Sequence, residues 1–172
     1  MTILTPVRRM AVAAAVLAAM AVLTPQAAGA DKPAVKVAQS ANTQTKAYAL
    51  ANPEVVSVAA TVCGSGYELS SVTPLPKGTD PKLRHATVFS YTKGGNDSGC
   101  SIMDNNLGSA QHMKLKVCNV RNTACDTDEG TFSQYAGPVY TSQPVCAHVT
   151  AQMWYEGTLY INYKSDYEYL CD

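Results

Sequence analysis

The sequence predicts an all-β fold: a small sandwich or barrel, stapled by disulfides and preceded by an extended N-terminal arm. Three observations predict this class. From residue 63 onward, short segments of alternating apolar and polar residues are separated by clusters of turn residues. All six cysteines lie in this part of the chain. No segment there repeats apolar residues at the 3.6-residue spacing of an amphipathic helix.

The individual strands follow from these patterns. Thr87–Thr92 alternates and is followed by Lys93–Gly99, a run rich in Gly, Asn and Asp, which predicts a hairpin with a long tip. Met113–Cys118 and Ala147–Met153 each alternate as a strand with one buried face should. A turn then leads into Leu159–Tyr163, so the last two strands are predicted to form a second hairpin.

Residues 1–30 have the pattern of a secretory signal peptide. Arg8 and Arg9 precede Met10–Leu23, an uncharged apolar run, and small residues lead up to Ala30, where we expect cleavage. The apolar run is shorter than the roughly 20 residues that span a bilayer. The sequence therefore predicts a secreted protein with no membrane segment in the mature form.

The charge balance of the mature chain argues against nucleic acid as a partner. The full chain has 13 basic and 13 acidic side chains, so removing two arginines leaves two more acidic than basic residues. Proteins that bind nucleic acid cluster Lys and Arg, and no such run occurs here. By their length, residues 63–172 are predicted to form one domain of ordinary size.

Residues 31–62 contain no cysteine or glycine and are predicted to be an extended or flexible arm. One interpretation is a leader that spaces the domain from something else. The other is a strand-forming arm that docks into a larger secreted protein by adding a strand to it. Five valines are the candidate partner-binding residues of this segment: Val35, Val37, Val55, Val56 and Val58.

An even number of cysteines in an exported chain predicts three disulfides, although fifteen pairings are formally possible. A bond between cysteines seven residues apart would clamp the loop Asn119–Ala124. We expect the pairs Cys63–Cys100, Cys118–Cys125 and Cys146–Cys171. The chain has no Cys-x-x-Cys motif, and its three histidines are dispersed. The sequence therefore predicts no metal site and no cofactor.

Two motifs suggest chemistry without meeting its requirements. Ser65 lies between two glycines, but it lacks the Gly-x-Ser-x-Gly spacing and the strand-to-helix context of a nucleophile elbow. Asp126–Gly130 is acidic, but its glycine falls one place early for a calcium loop and Gly137 stands where the bidentate Glu belongs. No catalytic residue is predicted.

The ten tyrosines are the other candidates for binding, because Tyr supplies flat contact area with a polar tip. Tyr135 and Tyr140 flank Gly137-Pro138 in the stretch Thr131–Tyr140. Pro138 cannot donate to a strand ladder, so this stretch predicts a bend leading into an edge strand. We expect its two tyrosines to pack across the bend and to form part of a contact surface.

The chain resembles the spore-associated protein A family, small exported proteins of sporulating mycelial actinobacteria. The resemblance rests on Val62–Tyr67, on Tyr91 and Gly94-Gly95 before Cys100-Ser101-Ile102, on Met113, on Gly130–Tyr140 and on Cys146 and Cys171. It runs from Cys63 to Asp172. It implies an extracellular protein associated with spores or mycelium and no settled activity. Cys118 and Cys125 are additional to the four cysteines usual in the family, which supports their pairing.

In overall plan the chain is also similar to the small adaptor subunits of secreted umbrella-shaped antibacterial toxin particles, whose N-terminal segment threads into a ring of repeats. Residues 31–62, fully extended, would reach roughly 100 Å. Three hypotheses follow. The first is a non-enzymatic interaction module or adaptor that binds a larger secreted protein or the cell or spore surface. The second is a protease inhibitor presenting Asn119–Ala124, and the third is a small extracellular hydrolase.

Overall fold

The computed structural model describes residues 35–171. The predicted signal peptide, residues 1–30, and residues 31–34 of the predicted arm lie outside the described residues. Two helices come first: α1 (Thr43–Ala51) and α2 (Pro53–Cys63). The strands are β1 (Glu68–Leu75), β2 (Ala86–Lys93), β3 (Ser98–Asn105), β4 (Gln111–Cys118), β5 (Cys125–Phe132), β6 (Tyr135–Thr141), β7 (His148–Tyr155) and β8 (Thr158–Lys164). A single 3₁₀ turn, Pro81–Leu83, precedes β2.

The strands form two four-stranded antiparallel sheets, which confirms the all-β prediction. The first sheet has the order β1-β2-β3-β6 and the second has the order β5-β4-β7-β8. Both predicted hairpins are present, since β2 pairs with β3 around the Gly94–Asp97 turn and β7 pairs with β8. Apolar residues from both sheets, among them Met103, Leu115 and Met153, form a buried cluster between them. The domain is therefore a sandwich.

A second apolar cluster lies on the other face of the first sheet. Phe89, Tyr91 and Ile102 of the first sheet pack there with Val56 and Ala59 of α2. Because helices cover one face of the sheet and the second sheet covers the other, seven of the eight residues of β2 are buried.

The helices correct the predicted conformation of the arm, because Thr43–Ala51 and Pro53–Cys63 are helical and packed rather than extended. The Asn42 side chain accepts a hydrogen bond from the Thr45 backbone amide at 2.7 Å, which caps α1. Pro53 stands in the first turn of α2, where its missing N–H is tolerated. Residues 35–42 are not helical, and Val37 forms a parallel bridge with Leu69 of β1.

Three disulfides join the described elements, with the same pairings that the sequence analysis expects. The pair Cys63–Cys100 ties the last residue of α2 to β3. Cys118–Cys125 joins directly opposed residues at the end of the β4–β5 hairpin. Cys146–Cys171 holds the end of the chain beside the start of β7.

The two sheets meet where β5 and β6, both edge strands, run side by side. Asp128 accepts a hydrogen bond from the Gly137 backbone amide at 2.7 Å, and Asp126 accepts one from the Tyr140 amide at 2.8 Å. These carboxylates occupy backbone donors that an edge strand would otherwise leave open. Gly137 has a φ of 102°, and an added Cβ would lie 2.9 Å from the Ser101 carbonyl oxygen, so only glycine fits this bend.

Candidate functional site

The clearest candidate site is an apolar groove beside α2. Helix α2 covers β2 and part of β3 but leaves a channel of about 290 Å³ between itself and the β3–β6 edge of the first sheet. We call this channel the α2 groove. Its lining is Glu54, Val55, Val58, Ala59, Val62, Ile102, Asp104 and Tyr135. Apolar side chains dominate, and the two carboxylates are its only charged groups.

Helical spacing explains why part of the valine-rich segment faces this groove. Val56, Ala59 and Cys63 lie three and four residues apart and turn toward the sheet, where Val56 is fully buried. Val55 and Val58 fall on the neighbouring side of the helix and remain 41% and 65% exposed. The two exposed valines therefore extend the apolar surface of the channel onto the side of the helix.

One carboxylate lies partly buried in the groove. Asp104 is on β3 directly opposite Tyr135 of β6. Burial raises the pKa of Asp104, while a hydrogen bond from the Asn105 backbone opposes the shift. A ligand that covered the groove would remove more water from this carboxylate, so it should bring a hydrogen-bond donor or a cation to meet it.

The predicted partner-binding residues have separate positions in the structure. Val55, Val58 and Tyr135 line the groove together, although they come from distant parts of the chain. Val35 and Val37 are half-buried against the outer cluster of the first sheet. The prediction for Val56 is wrong, because its side chain is in the core and reaches no surface.

Tyr140 does not pack against Tyr135 across the bend. Its ring lies 6.4 Å from that of Tyr67, whose hydroxyl is 2.8 Å from the Ser98 hydroxyl. Tyr140 is 43% exposed, so it remains available for contact at the far end of β6 from the groove.

The residues considered for chemistry do not converge. Ser65 is exposed in the turn after α2. The histidine rings lie elsewhere: His85 stacks on Tyr160, His112 contacts Trp154 and His148 stacks on Tyr167. Within residues 35–171, no three His, Cys, Asp or Glu side chains are grouped so that they could hold a metal ion.

The acidic run of β5 is divided by strand geometry. Asp126 and Asp128 point toward β6, whereas Glu129 lies on the opposite face and pairs with Lys114 at 2.8 Å. Successive side chains of a strand point to opposite faces, so these carboxylates cannot share an ion. Neither described helix is long and apolar enough to cross a membrane.

A buried polar network surrounds Glu168, and it was not among the sites predicted from the sequence. Ser71 donates a hydrogen bond to Oε1 of Glu168 at 2.7 Å, and Tyr163 donates one to Oε2 at 3.2 Å. Burial raises the pKa of Glu168, and these hydrogen bonds, together with the charge of Lys77, only partly oppose the shift. The sequence offered no signal, because the surrounding Tyr-Glu-Tyr run is indistinguishable from a solvated tail.

The fold and the groove together define a small disulfide-stapled β-sandwich with a helical cover and an exposed apolar channel. Over 82 residues the chain is 34% identical to Spore-associated protein A of Streptomyces coelicolor (strain ATCC BAA-471 / A3(2) / M145), a stretch that covers 47% of this chain and 49% of that protein. The chain thus matches about half the length of this curated relative. No family model matches the chain, and no solved structure matches it. The similarity supports a relationship to the spore-associated proteins.

Proposed function

We propose that the protein is a secreted, non-enzymatic interaction module of the spore-associated type, and that it docks a larger secreted protein in the α2 groove. The observation that carries this proposal is the convergence of Val55 and Val58 with Tyr135 in one channel. The three disulfides and the similarity to Spore-associated protein A support a place outside the cytoplasm.

The lining of the groove defines the chemistry of the partner. Aliphatic side chains and one tyrosine offer an apolar seat, while Glu54 and Asp104 add negative charge without a basic residue in the lining. A complementary segment therefore presents an apolar side chain next to Lys or Arg. Hot spots of this kind combine a buried anchor with a matched polar group.

The adaptor hypothesis has to be restated for a segment that is helical rather than extended. Threading an arm through a ring of repeats requires an extended segment over residues 31–62. Instead, most of residues 43–62 form the two helices α1 and α2, and Cys63 is bonded to β3. An adaptor role is therefore proposed through a docked helix rather than an inserted arm. The cell or spore surface can present the same partner.

Site-specific cross-linking tests the proposal. A photoreactive phenylalanine analogue replaces Val58 in one variant and Leu83 in a matched control, where Leu83 is 64% exposed and outside the groove. Both variants are irradiated in culture fluid of sporulating mycelium. We expect a dominant adduct only at position 58, cross-linked to a peptide with an apolar residue beside Lys or Arg. The same adducts at both positions would reject the groove as the docking site.

One observation favours the inhibitor hypothesis as a second candidate. Asn119 is buried, and its side chain accepts hydrogen bonds from the amides of Thr123 and Ala124, which immobilises the loop behind the Cys118–Cys125 bond. Arg121 is exposed at the tip of this loop. Inhibition of a trypsin-like protease that is lost in Arg121→Ala would support this function, and a protease panel without inhibition would eliminate it.

A further inference from the structure

The outer face of the second sheet is a separate surface with its own chemistry. Both described helices pack on the first sheet, and the buried faces of β4 and β7 look inward to the core. The chain has a single Trp, and Trp154 lies on this outer face of β7 rather than in the core. The His112 ring of β4 lies 4.5 Å from it. A pair of aromatic rings at the surface of a strand-packed protein is a feature that core packing does not require.

Two steps along β7 from the tryptophan, the same face presents amides. Gln152 donates a hydrogen bond to Oδ1 of Asn162 on β8 at 3.0 Å. This bond uses one donor and one acceptor of the pair. The Gln152 carbonyl and the Asn162 NH₂ group remain for a ligand, and together they can accept from and donate to hydroxyl groups.

The next row across the sheet is basic. Lys116 of β4 and Lys164 of β8 flank Thr150 of β7. Among residues 35–171 the only Lys–carboxylate ion pair is that of Lys114 with Glu129. Lys116 and Lys164 therefore stand without an acidic partner among the described residues. The Glu129 carboxylate, 3.5 Å from His112, is paired with Lys114, so the two remaining lysines leave the face positive although the whole chain has equal numbers of acidic and basic residues.

We infer that this face, with its rows of aromatic, amide and lysine side chains, binds an extended polysaccharide that carries carboxylate groups. Residues two apart on a strand are separated by roughly 7 Å. The face therefore presents an aromatic ring at Trp154, amides at Gln152 and cations beside Thr150, each about that distance from the next. A flat aromatic ring packs on the apolar face of a sugar ring, amides bond its hydroxyls, and ammonium groups meet its charges.

Other occupants fit the face less well. A second copy would bring the unpaired Lys116 and Lys164 rows against each other, and like charges in contact oppose association. Nucleic acid needs a larger basic patch, whereas the four strands of this sheet contain no arginine, and Lys114 is already paired with Glu129.

Because the chain has a single tryptophan, its fluorescence reports on this face alone. The full mature chain, with its disulfides intact, is titrated with polygalacturonate while the intrinsic fluorescence of Trp154 is recorded. Affinity electrophoresis in polygalacturonate gels then compares the wild type with Trp154→Ala and with the double variant Lys116→Glu/Lys164→Glu. The matched control is Lys36→Glu/Lys82→Glu, which makes the same charge change at two exposed lysines away from this face.

We expect a saturable fluorescence change in the wild type. Trp154→Ala and Lys116→Glu/Lys164→Glu should each lose at least about tenfold in affinity, the equivalent of one good contact, with the control unchanged. Equal binding to polyphosphate, which has charge but no sugar, would overturn the inference, as would an unchanged fluorescence signal. Val58→Asp should leave polygalacturonate binding intact, so this result is independent of the α2 groove. If Trp154→Ala does not fold, the wild-type titration and the lysine variant decide the question.

Discussion

The hydroxyl of Tyr91, buried between the first sheet and α2, donates a hydrogen bond to the carbonyl oxygen of Val56 at 2.9 Å. This bond fixes the height of the helix over the sheet. Burial raises the pKa of Tyr91 far above its usual range, so the hydroxyl keeps its proton and its role as donor.

Replacing Tyr91 by Phe removes this bond and keeps the ring. We expect the free energy of unfolding to fall by about 0.5–1.5 kcal/mol, the usual net value of a hydrogen bond inside a protein. Urea denaturation measures the change. Tyr160→Phe is the control, because the Tyr160 ring is 46% exposed and stacks on His85 through its face. An equal effect of both substitutions would show that α2 is not held in this way.

Two neighbouring valines distinguish a packed helix from an extended arm. Val56 is fully buried and Val55 is 41% exposed. Val56→Ala should therefore lower the free energy of unfolding by about 1.5–3 kcal/mol, through lost burial and the cavity left behind. Val55→Ala should change it by less than about 0.5 kcal/mol. Thermal unfolding of both variants measures the difference, and similar values for the pair would contradict the helical packing.

Glu168 should make the stability of the protein depend on pH. Because burial raises its pKa above the ordinary 4.5 in the folded state, the folded protein holds this proton more tightly than the unfolded chain. The resulting stabilisation is fully present below about pH 4.5 and is lost as the pH rises through the folded-state pKa.

The uncharged variant Glu168→Gln removes this dependence. We expect its unfolding free energy relative to the wild type to increase with pH above 4.5, by at most about 1.4 kcal/mol per pH unit. Urea denaturation between pH 4 and pH 8 measures the difference. Glu129→Gln is the control, since Glu129 is exposed and its lowered pKa, caused by the hydrogen bond from Lys114, acts in the opposite sense. A flat difference for Glu168→Gln would contradict the buried position.

The hydrogen bonds that join β5 to β6 can be tested individually through the exchange rates of single backbone amides. Asp128→Ala removes the acceptor of the Gly137 amide and should accelerate hydrogen exchange at Gly137 by about tenfold, the effect expected for a bond worth roughly 1.4 kcal/mol. Exchange measured by NMR at each amide reports this change. Glu129→Ala, one residue further along the same strand, should leave the Gly137 amide protected, because its side chain lies on the other face.

The sandwich could be predicted from the sequence because its strands carry their own local evidence. The strands β4 and β7 alternate strictly over most of their length, and a Gly-rich run marks the β2–β3 turn. Alternation depends only on which face of a strand is buried. These strands could therefore be predicted without knowing what each face packs against.

The helices were missed because Val55-Val56-Ser57-Val58 is a short β-branched run, and such a run fits a strand or one side of a helix equally well. Asn52-Pro53-Glu54 before it is a helix-start signal that was available. The α2 groove could not have been predicted in any case, since Val58 and Tyr135 meet only after the helix docks on the sheet.

The bond between Cys63 and Cys100 makes the α2 groove depend on the redox state of its surroundings. One cysteine ends the helix that forms one wall, and the other lies on a strand of the sheet beneath it. In a reducing cytoplasm the wall would be held by packing alone. In an oxidising compartment the bond closes and the wall becomes a permanent part of the sandwich. The same covalent step that stabilises the fold thus also fixes the geometry of the proposed binding surface, so that surface is complete only after the bond has formed.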